Sequence, residues 1–257
     1  MKVDVTVGIP LYNMGQIATL ALEGLCKQKT TCKWELIVCE EQTENMLSQK
    51  VLETYEKRLK KAGCVKIIYA PLKEWIPLAK KWTLIAENSS DSKCFILQAG
   101  DCLPHSKRIQ QSFNKINKGY DYYDENRGYW YSFRLDKTIL WKPNERYYLH
   151  PCRLNMAWKT ELFKQLPLSN VKKNVDGFIY NSLLKIKKDL KKYTNNTLYI
   201  DGVDTDGYNC ISSRDRFFKT VPNMLFQDPK LDVCTLIPIL NDYKNKQLNT
   251  RIKDIVA

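Results

Sequence analysis

The sequence predicts an α/β fold: a mostly parallel sheet flanked by helices, with an antiparallel subregion in its second half. Three observations predict it. Apolar, β-branched runs alternate with helically spaced segments from Val3 to Ile116. The first, second and fourth of these runs stop abruptly at polar residues, and an aromatic-rich texture takes over after Tyr120. Strands alternating with helical segments are the pattern of parallel β-α-β units with both faces covered.

The first run, Val3 to Asn13, is apolar as far as Leu11 and then turns polar. Ile17, Leu20, Leu22 and Leu25 follow at helical spacing, and Glu35 to Thr43 reads as a second strand ending in Glu40 and Glu41. A right-handed crossover between the two strands sets Pro10 to Asn13 beside Glu40 to Thr43, at the carboxyl edge where open α/β sheets bind ligands.

The charged segment Leu47 to Lys61 has helical spacing, and Val65 to Ala70 reads as a third strand that Pro71 should end. Ile76 to Glu87 predicts a helix with Leu78, Trp82 and Ile85 on one face, and Lys93 to Leu97 a buried fourth strand. That strand runs into Gln98, Ala99, Gly100 and Asp101, with a helix expected from Ser106 to Ile116. Between Tyr120 and Tyr148 aromatics crowd together among Asp, Arg and Gly, as in antiparallel strands and loops. Met156 to Phe163 suggests a short strand turning into a helix, and Val175 to Leu190 a helix ending in the lysine run Lys185 to Lys192. Val233 to Leu240 is apolar enough to pack back on the sheet.

A chain of 257 residues can bury one sizeable core. Its net charge of +13 favours a phosphate-bearing ligand, a polyanion or an acidic membrane surface. The lysines are dispersed and no DNA- or RNA-reading motif occurs, so nucleic acid is not expected as a partner. Nine cysteines without a CxxC pair or a secretory leader predict reduced thiols and a cytoplasmic location. Peripheral contact with an acidic membrane remains compatible with the charge.

Several ordered motifs between residues 3 and 213 resemble the family 2 glycosyltransferases, nucleotide-sugar-dependent enzymes with the Rossmann-like GT-A fold. Val7 to Asn13 is similar to the family's opening strand with its Pro, Tyr and Asn. Glu35 to Thr43 is similar to its second strand, with Glu40 and Glu41 where two aspartates are usual. Phe95 to Asp101 resembles the strand ending in an Asp-x-Asp-type motif, with Gln98 and Gly100 at positions that are usually acidic.

The resemblance implies one domain over 1–213, with a nucleotide-sugar half at 1–118 and an acceptor half at 119–213, followed by an extension, 214–257, that packs on it. It further implies an inverting transferase that moves a hexose-type sugar, with UDP-sugars favoured, to a hydroxyl of a glycan or other acceptor. Donor contacts fall on Pro10, Tyr12, Asn13, Glu40, Glu41, Lys80, Lys81, Gln98 and Ala99, with Glu41 as the reader of the base imide. Asp101 becomes the ligand of Mn²⁺ or Mg²⁺, cations that prefer hard oxygen donors and that stabilise a leaving diphosphate. Asp176 becomes the general base, and Asp206 stands where the family often carries a histidine, as a second metal ligand. Each acid also has a plain reading: Glu40 and Glu41 as solvated strand-end charges, Asp101 as a helix cap, Asp176 as a helix N-terminal carboxylate, and Asp206-Gly207 as a turn.

Overall fold

A computed structural model describes residues 2–125, 128–132, 137–141, 156–167, 171, 175–195 and 225–227; side chains are excepted at 16, 17, 124, 125, 128–132, 137–141, 176, 192–195 and 225–227. The chain opens with β1 (Val5–Leu11), a 3-10 turn (Gly15–Ala18) and α1 (Thr19–Cys26), followed by β2 (Trp34–Glu41) and α2 (Gln49–Lys61). Next come β3 (Cys64–Leu72), α3 (Leu78–Glu87), β4 (Cys94–Leu97) and α4 (Arg108–Asn117). The second half supplies β5 (Tyr122–Glu125), β6 (Gly128–Ser132), β7 (Lys137–Trp141), β8 (Ala157–Lys159), α5 (Thr160–Phe163), α6 (Val175–Ile186), β9 (Lys192–Asn195) and β10 (Leu225–Gln227).

The main sheet has the order β3-β2-β1-β4-β8-β5-β9. Strands β1 to β4 are mutually parallel, β8 is antiparallel to both β4 and β5, and β9 runs parallel to β5. A second, antiparallel sheet has the order β10-β7-β6, so a strand from within the C-terminal segment pairs with the aromatic-rich region. This is the α/β architecture read from the sequence.

Every residue of β1 and β2 is buried, as expected of strands with helices on both faces. Val5, Val7, Ile9 and Leu11 point into one core layer with α1, α2 and α4. The other layer packs Ile37, Cys39, Phe95 and Trp158 against α3, α5 and α6. On that side β1 offers only Thr6, Gly8 and Pro10. A Cβ at Gly8 would come within 2.7 Å of Ile85 Cγ2, so glycine there lets α3 lie directly on the strand.

Two boundaries depart from the sequence reading. Pro71 does not end β3; it lies inside the strand, opposite Glu40. Among the described residues β3 is an edge strand that pairs with β2 alone, so a residue without an N–H can face outward without breaking a ladder. Helix α6 ends at Ile186, and Lys187 to Lys191 form the approach to β9, which the sequence reading did not foresee. The segment Val233 to Leu240 lies outside the described residues.

Candidate functional site

The chain builds β1, β2 and β3 outward in one direction and then returns to lay β4 on the other side of β1. The strand order therefore reverses between β1 and β4, and a crevice opens at their carboxyl ends. Leu11 pairs with Glu40 and Gly8 with Leu97, so the segments after β1, β2 and β4 leave the sheet side by side. The structure thus gathers Pro10, Tyr12, Asn13, Glu40, Glu41, Gln98, Ala99 and Asp101 on one edge.

Tyr12 is 50% exposed there, whereas Pro10 is buried within β1. Asn13 has φ of +50°, in the left-handed region that asparagine enters more readily than most residues. Two residues on, the Gly15 N–H donates to the Asn45 carbonyl at 2.5 Å, which joins the turn after β1 to the loop after β2.

The two glutamates have different surroundings. Glu40 is fully buried; its Oε1 accepts from the Leu47 N–H at 2.8 Å and its Oε2 from the Tyr69 hydroxyl at 3.0 Å. Burial pushes its carboxyl above the usual range, and these hydrogen bonds oppose the shift only in part. Glu40 therefore braces the α2 approach and β3 from inside the protein. Glu41 is 2% exposed and pairs through Oε2 with Lys81 Nζ, while its Oε1 accepts from the Ile76 N–H at 3.4 Å.

Lys81 projects from α3 into the sheet edge. Besides Glu41, its ammonium donates to the Leu11 carbonyl at 2.8 Å and lies 5.4 Å from the centroid of the Tyr12 ring. One cation thus links the ends of β1 and β2 to the first turn and a half of α3. Its neighbour Lys80 is partly exposed on the same helix.

At the end of β4, the Gln98 Nε2 donates to the carbonyls of Ala99 at 2.8 Å and Cys102 at 2.9 Å, which folds the turn that carries Asp101. Its Oε1 is buried with no hydrogen-bond partner. Asp101 is 7% exposed, and its Oδ1 accepts from the Cys102 thiol at 3.4 Å. Gly100 has no room for a side chain: a Cβ would lie 2.2 Å from Leu11 Cδ2 and 2.9 Å from Met14 Sδ. A side chain at that position would require the Leu11 and Met14 side chains to shift. Arg108, buried on α4, holds the strand end through a 2.6 Å bond from Nη2 to the Leu97 carbonyl.

Asp176 is the second residue of α6; its side chain, and Asp206 altogether, lie outside the described residues. Among the described residues no cluster of three His, Cys, Asp or Glu could hold a metal ion. Asp101 carries hard oxygen donors of the kind Mg²⁺ or Mn²⁺ accepts.

Sequence reasoning passed over Tyr69 and Ile76, which hold Glu40 and Glu41 through a hydroxyl and an N–H, and the Leu11 carbonyl, which accepts from Lys81. Only the alternation in β3 hinted at Tyr69, and no sequence signal marks a backbone partner. It also passed over Asp121, a fully buried carboxylate next to β5. That residue meets Lys159 Nζ at 2.8 Å and Lys187 Nζ at 2.7 Å.

No family model matches the chain, and no curated protein matches it. Solved structures do. Staphylococcus aureus TarS is similar over 95% of this chain, with 14% identity and a TM-score of 0.59; the chain spans 43% of that protein. The mannosyltransferase PcManGT from Pyrobaculum calidifontis, in complex with GDP-Man and Mn²⁺, matches 98% of this chain and 73% of its own, at 11% identity and a TM-score of 0.56. Glucosyl-3-phosphoglycerate synthase from Mycobacterium tuberculosis, with Mn²⁺, UDP and phosphoglyceric acid, matches 76% of this chain and 68% of its own, at 12% identity and a TM-score of 0.50. The fold is that of the GT-A glycosyltransferases of family 2 type.

Proposed function

We propose that the chain is an inverting glycosyltransferase that moves a hexose-type sugar from a nucleoside diphosphate sugar, a UDP-sugar first, to a hydroxyl acceptor. The observation that carries this reading is the convergence of Tyr12, the Lys81-Glu41 pair and Asp101 on the carboxyl edge at the β1/β4 reversal. The GDP-Man bound by PcManGT and the UDP bound by the mycobacterial synthase support a nucleotide-sugar donor for this fold.

In this reading the Tyr12 ring, half exposed above Lys81, offers a stacking face to the nucleobase. Glu41 keeps lone pairs for a base imide while Lys81 and the Ile76 N–H fix its orientation. Lys80 lies toward the phosphates. Asp101 and Asp206 would hold Mn²⁺ or Mg²⁺, which supplies charge stabilisation for the departing diphosphate. Asp176, at the start of α6, takes the proton of the acceptor hydroxyl as its oxygen attacks the anomeric carbon.

A thermal-shift panel of nucleotide-sugars, with and without Mn²⁺, tests the donor. A ligand at a hundred-fold excess over its Kd should add about 2.7 kcal/mol of stability. Absence of stabilisation by every nucleotide-sugar overturns the reading. Asp176→Asn should abolish transfer while leaving donor binding intact; undiminished turnover removes Asp176 from the mechanism.

A second reading, a module that binds nucleotide-sugars without turning them over, is favoured by one observation. The Leu11 and Met14 side chains fill the space beside Gly100, where the Asp-x-Asp-type motif would place an acid. Donor stabilisation without hydrolysis or transfer to any glycan acceptor would select it.

A further inference from the structure

Lysines that are far apart in sequence meet on the amino edge of the main sheet, the edge opposite the proposed donor site. Lys93 immediately precedes β4, and Lys159, at the end of antiparallel β8, lies opposite Cys94 in the same register. Beside them, Lys187 and Lys191 approach β9, whose first residue is level with Tyr122 of β5. The buried carboxylate of Asp121 pins this cluster. It pairs with Lys159 and Lys187, and its Oδ2 accepts from the Lys191 N–H at 3.0 Å.

The side chains around that anchor face outward. Lys93, Lys188 and Lys191 are exposed, and Lys93 Nζ reaches no further than Asn117 Oδ1 at 3.0 Å. Between Lys93 and Lys159 opens a cavity of about 340 Å³ with Ile116 in its wall. Ile186, the last residue of α6, is 37% exposed and stands next to Lys185 and Lys187 in the chain. The acids on this edge are Asp4, whose carbonyl accepts from the Lys93 N–H, Asp91, Asp189, Glu161, which itself lines the recess, and Asp121, which Lys159 and Lys187 already share. The edge is therefore basic, carries an apolar tip, and holds a recess beside two ammonium groups.

We propose that this amino edge is a docking face for a bilayer containing anionic phospholipid, with the exposed Lys93, Lys188 and Lys191 at headgroup level. Charge complementarity selects an anionic surface. Exposed Ile186 selects a bilayer over a soluble polyanion, because an apolar tip among lysines gains only from an interface into which it can partition while the ammonium groups stay at headgroup level. The seven-residue β1, which pairs with β4, runs roughly 20 Å from the amino edge to the carboxyl edge, so docking leaves the carboxyl edge open. Among the described residues no helix is long and apolar enough to cross a membrane, so the attachment is peripheral and reversible.

The test is flotation of the full chain with phosphatidylcholine vesicles, with and without one-third phosphatidylglycerol, and with heparin as a soluble competitor. Binding is expected to the anionic vesicles alone and to be released by 0.5 M salt, where the Debye length falls from about 8 Å at physiological ionic strength to about 4 Å. Each lysine lost should weaken partitioning about five-fold, so Lys93→Glu/Lys188→Glu/Lys191→Glu should abolish it. A matched Lys50→Glu/Lys57→Glu/Lys61→Glu variant, on exposed positions of α2, should retain most of it. Ile186→Asn should weaken binding several-fold with the same salt dependence. Both triple variants are checked by melting temperature, and an unfolded one is replaced by the corresponding Gln substitutions. Equal binding to neutral vesicles, no difference between the two triple variants, or binding to heparin without binding to vesicles overturns the proposal.

Discussion

Lys81 and Glu41, forty residues apart, form a buried ion pair at the carboxyl edge of the sheet, with side chains 4% and 3% exposed. The ammonium is shared with the Leu11 carbonyl and faces the Tyr12 ring, so a single side chain sets the relative positions of the β1 and β2 ends. Removing one partner strands the other charge in the interior. Lys81→Met is expected to cost about 3–5 kcal/mol in urea unfolding, whereas Lys81→Met/Glu41→Leu should recover most of that loss. A double variant as unstable as the single one would show that the cost does not come from the unpaired carboxylate.

Glu40 gives the protein an unusual pH term. Its carboxyl is raised above its usual value in the folded state by burial, so the folded chain holds this proton more tightly than the unfolded chain. The stabilisation is complete below the unfolded value near 4.5 and is lost as pH rises through the raised folded value. Glu40→Gln should therefore gain stability relative to the parent as pH increases across that window. Denaturant midpoints between pH 4 and 8 measure the difference, and parallel curves would contradict the assignment.

Asp121 has the opposite sign. Burial alone would raise its carboxyl, but hydrogen bonds from Lys159, Lys187 and the Lys191 N–H outweigh burial and hold it below the ordinary value of 3.8. Its contribution is present above the unfolded value and is lost as pH falls through the depressed folded one. Asp121→Asn should lower stability by about 2 kcal/mol at neutral pH, the scale of a hydrogen bond to a charged group. The two proteins should converge in acid, and a pH-independent gap would assign the loss to packing.

Gly100 lies against Leu11 and Met14 with no space for a methyl group. Gly100→Ala should cost about 1–3 kcal/mol by overpacking. Combined with Leu11→Ala, its effect should fall below the sum of the two single losses, because the second change empties the space that the first invades. Additive losses would place the strain elsewhere.

Much of the fold was legible in the sequence. The apolar runs at Val5–Leu11, Trp34–Glu41 and Cys94–Leu97 stood out by composition and abrupt polar ends, and the handedness of β-α-β crossovers then set their carboxyl ends together. Boundaries were less legible where they depend on a neighbour. Pro71 reads as a strand terminator until β3 is known to be an edge, and the lysine run reads as helix until Asp121 draws Lys187 and Lys191 toward β9.

The sequence by itself determined that an α/β sheet would present Tyr12, two glutamates and Asp101 on one edge, because strand periodicity and crossover hand are local properties of the chain. Only the tertiary structure decided what each acid does there. Glu40 is an interior brace, Glu41 is held by Lys81 and the Ile76 N–H, and the glycine at position 100 lies against the Leu11 and Met14 side chains. Those outcomes depend on which side chain, carbonyl or amide lies within about 3 Å, a distance set by packing between distant segments and by no pattern along the chain.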